Sequence, residues 1–77
     1  MIERIEKYLN DNGIFEGHIE LKYDLIEDLG MSSLEIMELL VFLEKQYDVE
    51  SNLEDLMNLQ NIESLINYFE SIGKRND

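Results

Sequence analysis

The segment SLEIMELLVFLEKQY, Ser33 to Tyr47, is apolar on nearly every side when wound as an α-helix, and no other stretch limits the fold so sharply. At about 100° per residue, Ile36, Leu39, Leu40, Leu43 and Tyr47 share one arc, wide enough to serve as a core face. Leu34, Met37 and Val41 fall on a second arc that adjoins Ser33, with Glu38 and Glu44 on its flanks and Phe42 farther round. A chain of 77 residues has room for one hydrophobic core and little else. Both arcs cannot be buried. The second is therefore expected at the surface, as a docking face with an apolar centre and an acidic rim.

The rest of the chain carries the same helical period. There is no proline, and Gly13, Gly17, Gly30 and Gly73 are far apart, so helices are free to form and the fold class is all-α. Ile2, Ile5, Tyr8 and Leu9 make a first amphipathic stripe, ended by the Asn10 to Gly13 cluster. From Ile14 to Met31 no strong period survives. Ile14, Phe15, Ile19, Leu21, Leu25, Ile26 and Leu29 are expected to anchor a long connection across the helix ends. After a turn at Asp48 to Asn52, LEDLMNL suffices for one short helix with Leu53, Leu56 and Met57 inward. Asn61 has the chemistry of an N-cap for a last helix, with Ile62, Leu65, Ile66 and Phe69 at core spacing. Gly73 stands where a C-cap glycine would, and residues 72–77 are expected to fray. Residues 1–77 read as a single domain.

Eighteen acidic residues against six basic ones give a formal net charge of −12, which repels phosphate backbones and anionic lipid. Nucleic acid and membrane insertion are thereby excluded as expectations. Between Glu27 and Asp55 only Lys45 offsets the acids, so a partner that docks there should be basic. With no cysteine and His18 as the one histidine, neither a disulfide framework nor a Cys/His zinc site is available. The N-terminus lacks a continuous signal-peptide core, and a cytoplasmic location is expected.

Ser32 and Ser33 sit side by side at the start of the apolar segment. Serine followed three positions later by glutamate can close a helix start reciprocally, and Ser32 with Glu35 has that spacing. With Ser33 as cap, the reciprocal position would hold Ile36, which can neither donate nor accept. Ser32 is thus the expected cap, and Ser33 falls at the first helical position with no structural duty. A hydroxyl there lies in the positive end of the helix dipole, a setting that tolerates an attached phosphate.

The stretch EDLGMSSLEIMELLVFLEKQYDVE resembles the acyl carrier proteins and related peptidyl carrier domains, whose signature is D-L-G-x-D-S-L followed by an acidic amphipathic helix. The resemblance is strong over Asp28 to Tyr47 and weak before Tyr23, and LQNIESLINYF is similar to the family's last helix. It implies a small four-helix bundle of three longer helices and one short one, with a long loop between the first two. It also implies that Ser33, directly before Leu34, receives a covalent 4′-phosphopantetheine arm from a phosphopantetheinyl transferase and carries acyl groups as thioesters. Carried over by position, Leu34, Glu35, Met37, Glu38, Val41 and Glu44 match the face that partner enzymes with basic docking surfaces recognise. Acyl-loading, condensing or transferase enzymes would be those partners, and the chain would be a monomer that catalyses nothing itself. Two positions depart from the pattern: Ser32 replaces the usual aspartate, and Lys45 stands where an acid is frequent.

Other chemistries fit less well. A hydrolase needs a base beside its serine, and His18 lies in the loop with no motif around it. A calcium loop aligned on Gly13 would begin at Tyr8 and end at Ile19, neither of which ligates calcium as such a loop requires. The alternatives that remain are a peptidyl or aminoacyl carrier, and an acidic helical adaptor that uses the Met37/Val41 stripe without a covalent arm.

Overall fold

The computed structural model describes residues 1–56 and 58–75. Three long helices and one single helical turn follow in order: α1 (Ile2–Asp11), α2 (Ser33–Tyr47), α3 (Leu53–Leu56) and α4 (Ile62–Arg75). The described residues form no strand; an isolated antiparallel bridge joins Asp24 to Asn61. Each long helix turns one face to a common core, as spacings of three and four residues require. Ile5 and Leu9 come from α1, Leu39, Leu40 and Leu43 from α2, and Ile62, Leu65, Phe69 and Ile72 from α4. Burial of each such side chain stabilises the fold by about 1.5–3 kcal/mol. Ile36 and Tyr47, at the edges of the core arc of α2, are half-buried against the same cluster.

The connection from α1 to α2 stays in place because polar side chains of α1 reach into it. Asn10 accepts from the Gly17 amide at 2.8 Å, and Glu6 Oε1 accepts from the Ile19 amide at 2.9 Å. Both bonds turn Ile19 inward. Farther on, the Asp24 carboxylate accepts from the Ile26 and Glu27 amides while Asp28 accepts from the Asp24 amide, which winds the chain into a short turn. Gly30 ends that turn at φ +66, a left-handed conformation that glycine adopts without a Cβ clash. Ile19, Leu25, Leu29 and Met31 are buried, with Ile14, Phe15 and Tyr23 packed at the edge. Leu21 and Ile26 depart from the expected anchoring and are 45% and 59% exposed. The turn places Leu25 and Leu29 on its inner side, and Ile26, next to Leu25, faces out.

Residues at the far ends differ from expectation in one further place. Gly73 was the expected stop, yet α4 passes through it to Arg75. A glycine cap requires a positive φ, and Gly73 is not among the glycines that have one. Ile72 instead finds core burial, which carries the helix past the glycine. The C-terminus of α2 is closed by Asp48 at φ 51, whose amide donates to the Glu44 carbonyl. Met57, Asn76, Asp77 and the side chains of Leu53 and Leu56 lie outside the described residues, and with them the inward set expected for α3 and the last two residues of the tail.

Candidate functional site

The start of α2 has the reciprocal bonding that the Ser32 and Glu35 spacing predicts. Ser32 Oγ accepts from the Glu35 amide at 3.2 Å, and Glu35 Oε1 accepts from the Ser32 amide at 2.9 Å. Ser32, with φ −82 and ψ 166, is the N-cap, and Ser33 is the first helical residue. Ser33 is exposed, and among the described residues no hydrogen bond engages its hydroxyl. The Ser32 carbonyl accepts from Ile36, as the first intrahelical bond of the cap. The amides of Ser33 and Leu34 have no protein acceptor among the described residues. A free hydroxyl and two unpaired amides therefore share the positive end of a helix of fifteen residues.

Beyond Ser33 the second arc of α2 is open to solvent. Leu34 is 65% exposed, Met37 48% and Val41 47%, which leaves a large apolar stripe uncovered in a small protein. The stripe forms the floor of a shallow depression of about 490 Å3, which Glu38, Tyr8 and Phe42 also line, with Lys45 at its far end. Glu38 is exposed on the rim. Burial, then the charges of Glu38 and Glu35, push the Tyr8 phenol above its ordinary value.

Glu35 and Glu44 are less open than a uniform acidic rim would have them. Glu35 is half-buried, with one carboxylate oxygen held by the cap. Glu44 Oε2 accepts from both the amide and the hydroxyl of Ser51, at 2.7 and 2.8 Å, and so ties α2 to the turn before α3. Sequence spacing could not show this, because the Ser51 tie closes over the left-handed turn at Asp48. His18 stands apart from Ser33: its imidazole is 98% exposed and lies 3.0 Å from Glu6 Oε1 on α1.

The exposed, uncommitted serine at the N-terminus of an acidic, apolar-striped helix is an arrangement able to bear a phosphate-linked group. Comparison with known proteins agrees. Residues 16–69 match the family described as "Phosphopantetheine attachment site". The acyl carrier protein of Campylobacter lari is 39% identical over 59 residues, which span 77% of each chain. That of Campylobacter concisus is 38% identical over 56 residues, 73% of each chain. The fold is also that of the crystal structure of an acyl carrier protein from Thermotoga maritima, with a TM-score of 0.89 over 99% of this chain and 89% of that one, at 17% identity. The chain belongs to the acyl carrier protein family, with a phosphopantetheine attachment domain and hence a covalent 4′-phosphopantetheine. Members of this family are carriers and not catalysts. Among the described residues no helix is long and apolar enough to cross a membrane.

Proposed function

We propose that Ser33 bears the phosphopantetheine arm and that α2 presents the chain to the enzymes that load and use it. One observation carries the assignment: the Ser32 hydroxyl is turned to the Glu35 amide, whereas the Ser33 hydroxyl is exposed and uncommitted. The residues present suit the group. A phosphodiester on Ser33 Oγ would lie beside the unpaired Ser33 and Leu34 amides, and the helix dipole favours its charge by about 0.3–1 kcal/mol. When attached, the arm supplies a terminal thiol on which acyl groups ride as thioesters. Among the described residues no side chain hydrogen-bonds the Ser33 hydroxyl to take its proton, so the loading chemistry belongs to a phosphopantetheinyl transferase, of which this protein is the substrate.

Leu34, Met37 and Val41 form the apolar centre of the docking face, and Glu38 is its open carboxylate. Glu35 and Glu44 contribute charge while they hold the ends of α2 in place. The partners are the transferase and acyl-loading, condensing or transferase enzymes with basic docking surfaces. We read residues 1–77 as one monomeric, cytoplasmic carrier domain, with α3 as the short fourth helix of the bundle. Ser32, in place of the usual aspartate, favours a second reading as a peptidyl or aminoacyl carrier, because such carriers vary at this position.

Intact mass after coexpression with a promiscuous phosphopantetheinyl transferase tests the assignment. The wild type gains one arm, Ser33→Ala gains none, and Ser32→Ala still gains one. An arm that persists on Ser33→Ala overturns the site. The mass of the acyl species carried in the native host separates acyl from aminoacyl cargo.

A further inference from the structure

The docking stripe of α2 does not end at α2. Its depression shares Tyr8 and Phe42 with a second one, of about 540 Å3, between α1 and α2. The two rings lie 4.7 Å apart and form a common aromatic floor. Around that floor the charge changes sign. Arg4, Lys7 and Lys45, three of the chain's six basic residues, line the joined depressions against Asp11 and Glu38. In a chain of net charge −12 this is a local reversal.

Not all of that positive charge is equally open. Arg4 sits 5.8 Å from the Tyr47 ring centroid and donates to Gln46, so its guanidinium is fixed along the groove wall. Lys7 pairs with Asp11 at 2.7 Å, but both side chains are mostly exposed, and such a pair gives way readily to a competing carboxylate. Lys45 is exposed in the last turn of α2.

We propose that the partner which docks on α2 continues across Tyr8 and Phe42 onto α1, and meets this end with an amphipathic segment that sets apolar side chains on the rings and carboxylates against Arg4, Lys7 and Lys45. This inference rests on the docking face assigned above and makes the recognition bipolar: a basic patch of the partner faces Glu38, and an acidic one faces α1. Opposite charges at the two ends of one apolar strip fix the direction in which a partner lies along it. A partner with a uniformly basic surface would be repelled at the α1 end.

The test uses the protein as purified from its host and a synthetic helical peptide with leucines on one face and glutamates along its edge. A control peptide carries lysines in place of the glutamates. In amide NMR spectra the leucine/glutamate peptide shifts Lys7, Tyr8, Phe42 and Gln46, and the double variant Lys7→Glu/Lys45→Glu weakens it by about fivefold with helicity unchanged. Equal or tighter binding of the lysine peptide at those amides, or shifts confined to residues 33–41, overturns the proposal. Intact mass on the same sample reports Ser33 loading separately, so failure at the α1 end is distinguishable from failure of the carrier reading.

Discussion

The two main helix starts are built alike and left in different states. In α2, Ser32 and Glu35 close the cap; in α4, the Asn61 carboxamide accepts from the Ser64 amide at 2.8 Å while Ser64 Oγ accepts from the Asn61 amide at 3.1 Å. The difference lies in the next two residues. The Ile62 and Glu63 amides donate to the carbonyls of Tyr23 and Leu21, and the Ile62 side chain is wholly buried. Their counterparts in α2, the amides of Ser33 and Leu34, have no protein acceptor among the described residues, and both side chains are exposed. The loop covers one helix start and leaves the other open. A local cap thus secures a helix end, but only tertiary cover decides whether that end is sealed into the fold or left open to solvent.

The contrast can be broken most forcefully at its sealed end. Ile62→Ala should cost about 2–5 kcal/mol in urea unfolding, since it opens a cavity beneath the bridge to the loop. Loss of either cap should cost less: Asn61→Ala and Ser32→Ala are each expected to lower stability by about 1 kcal/mol. Ser33→Ala removes an exposed side chain with no bonded partner and should change stability by less than about 0.5 kcal/mol. Its effect is expected on loading, so equal unfolding curves beside an absent arm would sharpen the distinction between cap and acceptor. Hydrogen exchange checks the comparison without mutation. The Ile62 and Glu63 amides should be protected, and those of Ser33 and Leu34 should exchange at nearly the rate of an open chain.

The smallest expected effect is electrostatic. Burial, Glu38 and Glu35 raise the Tyr8 phenol in the folded state. A group raised on folding contributes stability that is fully present below its unfolded value, the ordinary tyrosine range near 10, and lost as pH rises through the folded value. The protein should therefore weaken slightly at alkaline pH above that range. Glu38→Gln should lower the Tyr8 titration midpoint in ultraviolet absorbance, and an unmoved midpoint would mean that Glu38 does not act on the α1 side of the groove.

Much of this was legible along the chain. The Ser32 and Glu35 box is a contact over three residues, and its spacing alone selected one of two serines. The two arcs of α2 followed from a fixed rotation per residue, and Leu39, Leu40 and Leu43 are buried where Leu34, Met37 and Val41 are not. The loop was less legible because no period orders its side chains. Leu21 and Ile26 looked like Leu25 and Leu29, and only the turn around Asp24 and Asp28 separates those that face inward. Gly73 carried a stop signal that core burial of Ile72 overrode. Glu44 read as a rim acid until its bonds to Ser51 gave it a structural task.

By itself the sequence determined the helical class, the boundaries and faces of α2, and the cap that frees Ser33, because each depends on residues within one or two turns of one another. The tertiary structure alone decided that the loop seals α4 rather than α2, that Tyr8 meets Phe42, and that Arg4, Lys7 and Lys45 gather around those two rings. Those contacts join residues far apart in the chain, where no local period records which surfaces will meet.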